Sequence, residues 1–151
     1  PSQPVVALNC DGARRGEPAK AGAGSIIRDH HGRWLAGCCR NVGVCSSLQA
    51  ELWALWDGLL LAWSLGYRDV VVQLDCLVAV NLIKSPEAGS HASKILVRRI
   101  KHLLEKDWRV TLSHVFREGN RCADALASYA LDLNLGYHFI RAAPVGLQVF
   151  L

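Results

Sequence analysis

The chain has 151 residues, 51% of them hydrophobic and 20% charged, which suits one packed domain and excludes a disordered segment. No apolar run reaches membrane-spanning length, since the stretch 52–65 is short and carries Asp57, and no secretory leader is visible. A net charge of +4 allows a polyanionic partner but does not require one.

Residues 1–4, Pro1-Ser2-Gln3-Pro4 in a chain without methionine, read as a linker remnant, so the domain is expected to be a monomer or part of a longer polypeptide. Residues 5–10 read as a strand ended by Asp11-Gly12, and 14–21, with Gly16 and Pro18, as a loop. Strands at 23–28 and 34–42 flank a turn, Asp29-His30-His31-Gly32. Ser46 and Gln49 have the capping-box spacing that opens a helix over 48–66, closed by Gly66. Nearly every face of that helix is apolar, so it should be buried on most sides.

The β-branched run 70–75 fits a central parallel strand. A short helix over 76–83 and a loop over 84–90 follow. Residues 92–106 show helical period, with Ile95, Leu96, Ile100, Leu103 and Leu104 inward and Lys94, Arg98, Lys101 and Glu105 outward. A strand at 108–116 and a helix at 120–133 complete the pattern. Residues 135–151 are apolar but aperiodic, a C-terminal tail beyond a domain at 5–134. Three strands, then alternating helices and strands, predict an α/β fold: a mixed sheet with helices on both faces. The six cysteines include no Cys-x-x-Cys pair, so they read as small apolar residues in a reducing intracellular compartment, nuclear or cytoplasmic.

One residue stands out in the apolar helix. Glu51 shares a stripe with Leu55, Gly58 and Ala62, which can lie close on a sheet. A carboxylate pointing inward needs a cation or a proton. Asp11 and Asp75 end strands, so their carboxylates lie side by side if those strands are neighbours, and Asp124 lies in the first turn or two of the last helix. Four carboxylates in one place repel, and divalent cations relieve that repulsion. Oxygen-only ligands favour Mg²⁺ or Mn²⁺, and two such ions can clamp the attacking and leaving oxygens of a phosphodiester. Taken singly, each acid reads as an ordinary cap or solvated charge.

The set completes a resemblance. Asn9-Cys10-Asp11-Gly12-Ala13, Leu48-Gln49-Ala50-Glu51, Leu74-Asp75 and the block 113–127, Ser-His-Val-Phe-Arg-Glu-Gly-Asn-Arg-Cys-Ala-Asp-Ala-Leu-Ala, resemble type 1 ribonuclease H. The likeness is nearest to plant ribonuclease H-like domains related to retrotransposon reverse transcriptases, and it covers about Val5 to Leu131. It implies a ribonuclease H-like fold with a five-stranded mixed sheet, three antiparallel strands followed by parallel ones. It implies hydrolysis of the RNA strand of RNA–DNA hybrids with two Mg²⁺ (or Mn²⁺) ions held by Asp11, Glu51, Asp75 and Asp124. His114 falls on the family's mobile histidine and Asn120 on its loop asparagine. Substrate contacts are expected from Gly12, Ala13, Ser47, Gln49 and Asn120. Ser47 and Leu48 stand where many members have two asparagines, and the long basic protrusion of some members is absent, with Arg98 and Lys101 expected to replace it in part. The alternative is a domesticated, non-catalytic module of the same fold that binds nucleic acid or protein.

Overall fold

The strand read at 5–10 runs on as β1, Val5–Arg15, in the computed structural model, which describes residues 4–86 and 93–150, without the side chains of 118, 119, 149 and 150. The linker reading at 1–3 and most of the loop reading at 84–90 lie outside the described residues. β2 (Lys20–Arg28) and β3 (Trp34–Val44) follow, then α1 (Ser47–Ser64), β4 (Asp69–Leu74), α2 (Leu77–Lys84), α3 (Lys94–Leu104), β5 (Arg109–His114), α4 (Arg121–Ala130) and β6 (Gly136–Ile140). Single 3₁₀ segments occupy Arg117–Asn120 and Val145–Phe150. No helix among the described residues is long and apolar enough to cross a membrane.

The sheet order is β5-β4-β1-β2-β3-β6. β4 runs parallel to β1 and β5, and the other pairings are antiparallel. The sheet therefore has six strands where five were expected. The sixth comes from the tail that looked aperiodic: β6 pairs Tyr137 to Ile140 with Arg40 to Gly37. Its alternation is real but hidden, because the exposed positions hold Tyr137 and Phe139, as apolar as the half-buried ones.

Asp11 likewise does not end its strand. Pairing with β2 continues through Asp11–Gly24 to Arg15–Lys20, while pairing with β4 stops at Cys10–Leu74. Asp-Gly resembles a turn, but here the glycine serves a close approach. A Cβ on Gly12 would stand 2.9 Å from Ala50 Cβ and 3.1 Å from the Glu51 nitrogen.

α1 begins with the expected capping box: Ser46 Oγ accepts from Gln49 N–H, and Gln49 Oε1 accepts from Ser46 N–H. Such a cap contributes about 1 kcal/mol. It ends in a Schellman motif, with Tyr67 N–H on the Ala62 carbonyl, Gly66 N–H on that of Trp63, and Gly66 at φ +91°. The stripe under α1 touches the sheet closely. A Cβ on Gly58 would lie 2.8 Å from Leu8 Cδ1, and Ser25 Oγ donates to the Ala54 carbonyl at 2.5 Å. α4 crosses the opposite face over Gly22 and Gly24, where a Cβ would meet Ala127 backbone atoms at 2.1 and 2.5 Å.

Strand alternation splits the core accordingly. Leu8, Cys10, Ile27, Cys38 and Leu55 belong to the larger core on the α1 side. Ile26, Cys39, Cys122, Leu126 and Leu147 form the smaller one around α4, so the C-terminal 3₁₀ segment packs on the domain. All six cysteines are free thiols. In α3 the buried residues are Val97, Ile100 and Leu103, whereas Ile95, expected inward, is exposed. A partly buried ion pair ties α1 to β3. Asp57 receives Arg40 Nε and Nη2 at 2.8 and 3.0 Å, and the guanidinium lies over the Trp53 ring. Burial pushes the Asp57 carboxyl up and Arg40 pulls it back.

Candidate active site

The site lies just beyond the last rung shared by β1 and β4. Asp11 follows Cys10, Asp75 follows Leu74, and the close passage of β1 under α1 brings in Glu51. One carboxylate oxygen from each of the three lies within 4.8 Å of the other two. Gly12 N–H holds two of them, donating to Asp11 Oδ1 at 2.9 Å and to Glu51 Oε1 at 3.0 Å. Asp11 and Glu51 are buried, 3% and 8% exposed, and Glu51 Oε2 has no hydrogen-bond partner.

Burial, then Glu51 as hydrogen-bond partner and neighbouring charge, then Asp75, push Asp11 up to about 10. Burial foremost pushes Glu51 up to about 7, with Asp75 adding to it and Asp11 and Gly12 opposing. The pair thus favours holding a proton when no cation is bound. A divalent cation fits these residues. The donors are all carboxylate oxygens, they converge, and a buried one lacks any partner. Such a set suits hard cations of the Mg²⁺ and Mn²⁺ class.

Asp124 does not join this group. It is exposed in the first turn of α4. His114 is placed beside the acids: it ends β5, and its Nε2 donates to the Asp75 carbonyl at 3.1 Å. A cleft of about 330 Å³ opens over Glu51 and Asp75, lined also by Ser47, Cys76, His114, Val115, Phe116 and Arg117. Arg117 Nε stands 3.8 Å from Asp75 Oδ2, with its side chain 87% exposed.

The other expected substrate contacts are redistributed. Asn120 is fully buried and spent on the protein: its Nδ2 donates to the Cys10 carbonyl at 2.7 Å and its Oδ1 accepts from Asn9 at 3.1 Å. It fastens the segment after β5 to β1, and its amide is not available to a nucleic acid. The Gly12 N–H and the Gln49 side-chain oxygen are likewise committed, to the carboxylates and to the helix cap. Ala13 is half-buried on β1. Lys101 Nζ donates to the Ser85 carbonyl at the end of α2. Arg98 lines a separate groove of about 440 Å³ with Trp56 and Leu60, and neither cation lines the acidic cleft. The sequence reading missed Arg117 and Phe116 as cleft residues. Their position between a strand-end histidine and a buried asparagine is the signal that could have found them.

Comparisons with known proteins bear on the family and the fold. The family model described as reverse transcriptase-like matches residues 9–130. The chain belongs to that family. An Arabidopsis thaliana protein named as a ribonuclease H is 42% identical over 97% of this chain, and the chain spans 24% of that relative's length. The RNase H1 of Halobacterium salinarum superposes with a TM-score of 0.76 at 28% identity, covering 85% of this chain and 98% of that one. LC11-RNase H1, solved in complex with an RNA/DNA hybrid, gives 0.76 at 26% identity, covering 84% and 96%. The fold of this reverse transcriptase-like domain is that of ribonuclease H.

Proposed function

We propose that the domain is an endoribonuclease that hydrolyses the RNA strand of RNA–DNA hybrids with the help of two divalent cations. One observation carries the reading: three carboxylates from β1, α1 and the end of β4 converge within 4.8 Å, with a buried Glu51 oxygen left without a partner. Ribonuclease H relatives of like fold, one of them solved with a hybrid, supply the substrate class.

Asp11, Glu51 and Asp75 would hold Mg²⁺ or Mn²⁺. Bound cations supply charge neutralisation for the phosphodiester and activate the attacking water. The chain's own residues do the rest. Gly12 N–H fixes the orientation of two carboxylates, so little rearrangement is needed on loading. Burial of Asp11 and Glu51 excludes competing water and strengthens every charge interaction in the pocket. Arg117, largely exposed and loosely paired with Asp75, is placed to meet the incoming phosphate. His114 sits at the rim, held to the Asp75 carbonyl, within reach of a proton leaving or entering the cleft. The deciding experiment is cleavage of a labelled RNA strand in an RNA–DNA hybrid with Mg²⁺, Mn²⁺ or EDTA, against single- and double-stranded RNA. Metal-dependent cleavage confined to the hybrid is expected. Binding of hybrid without cleavage under any metal would favour the non-catalytic module.

A further inference from the structure

Phe116 is 79% exposed, more than any other Phe, Tyr or Trp whose side chain is described. Single exposed apolar side chains are ordinary on protein surfaces. What separates this one is its place. It lines the cleft over Glu51 and Asp75, two residues beyond the end of β5, and its ring packs edge-to-face on His114 with centroids 6.0 Å apart. His114 is in turn held by the Asp75 carbonyl. The ring is thus held on one side by His114 and otherwise open to solvent, beside the acids that would hold the cations. It buries little, so the fold gains little from it.

We propose that Phe116 is a nucleotide-contacting residue, its exposed ring packing on the ribose of the RNA strand beside the phosphate that cations on the carboxylates would hold. The inference rests on the ribonuclease reading above. In a hybrid duplex the bases are stacked inside. What a side chain meets across the wide, shallow minor groove is sugar faces, hydroxyls and phosphates. An aromatic ring matches the apolar C–H face of a sugar, and such contact is blind to base sequence. Arg117 beside it supplies the charge for the phosphate, and Ser47 across the cleft a hydroxyl.

The test compares the parent with Phe116→Ala and Phe116→Trp. Steady-state cleavage of a labelled hybrid with Mg²⁺ gives kcat and KM, and equilibrium binding of the same hybrid with Ca²⁺ gives affinity. Aromatic platforms contribute roughly five- to a hundredfold per nucleotide, and a sugar contact belongs at the low end. Phe116→Ala is expected to raise KM and weaken hybrid affinity about five- to tenfold, with parent-like thermal stability and Mg²⁺-induced stabilisation. Phe116→Trp should restore both. Parent-like KM and affinity in Phe116→Ala would overturn the proposal, as would a loss in kcat alone, which would leave the ring acting only on His114. The parent reads out the ribonuclease proposal separately. A parent that binds hybrid without cutting it defeats that reading, while the affinity comparison still decides the contact. A parent that neither binds nor cuts defeats both.

Discussion

Asp75→Asn removes one charge from the carboxylate triangle without changing its shape. Three oxygens within 4.8 Å repel by about 3 kcal/mol per fully ionised pair at an effective dielectric constant near 20. In the metal-free protein the folded state raises the proton affinity of Asp11 and Glu51. Between roughly pH 4 and the folded values, the native state therefore binds more protons than the unfolded chain. Stability contributed by the protonated forms is full near pH 4. It falls as pH rises through about 7 for Glu51 and on toward about 10 for Asp11. At pH 8, above the value to which Glu51 is raised, the Asp11–Glu51 pair carries about one charge, so the substitution relieves about one ionised pair, about 2–3 kcal/mol. Arg117, almost wholly in solvent, offsets little of this. For a domain of this size that is a rise of about 5–10 °C in Tm. Near pH 5 parent and variant should converge. Mg²⁺ should reverse the order, since the parent gains roughly 3 kcal/mol at a hundredfold excess over Kd and the variant loses a ligand. Thermal scans at pH 5 and 8, with and without Mg²⁺, together with hybrid cleavage, check each part. Near-parent cleavage, or an undiminished Mg²⁺ shift in the variant, would refute the assignment of these acids as a metal centre.

His114→Ala should lower turnover on hybrid by about 10²–10³-fold while leaving Mg²⁺-dependent cleavage measurable and hybrid affinity within about twofold, by the usual worth of an acid–base helper. Unchanged turnover would make it an ordinary strand-end residue. Arg40→Ala strands the buried Asp57 carboxylate and should destabilise the domain by about 3 kcal/mol in urea unfolding, with no direct effect on the cleft. Gly24→Ala places a Cβ 2.5 Å from the Ala127 nitrogen, a backbone atom that cannot swing away. A loss of at least 1–3 kcal/mol is expected from such overpacking, against near-neutrality for Gly32→Ala on grounds of space alone, its φ of +77° adding about 1 kcal/mol of strain.

Much of this was legible because several signals were local. Ser46 and Gln49 announced the start of α1 by spacing, and the continuous apolar run 70–72 announced a covered parallel strand. Glu51 was marked as inward because so apolar a helix leaves no wet face for it. Residues whose roles depend on the third dimension were not legible in the same way. Gly12 looks like half of a turn, and only the approach of Ala50 shows why a strand needs glycine there. Asn120 carries a polar side chain in a substrate-facing motif, yet the carbonyl of Cys10 and the amide of Asn9 consume it. β6 escaped notice because period-two alternation cannot be seen when both faces of a five-residue edge strand carry apolar groups. Arg98 and Arg117 are alike as letters. Only the fold sends one to a helix–helix groove and the other to the acids.

The parallel ladder between β1 and β4 ends on Cys10 and Leu74, and the next residue on each chain is an acid. Those two carboxylates are thus placed by counting along the strands from a shared rung. Dropping one residue from either strand would turn the side chains that follow it to the opposite face and set the acids about 3.3 Å out of step. Exchange of one apolar side chain for another within 5–10 or 69–74 leaves the count untouched. In lineages that keep the activity, these two segments should drift freely in composition and hold their length.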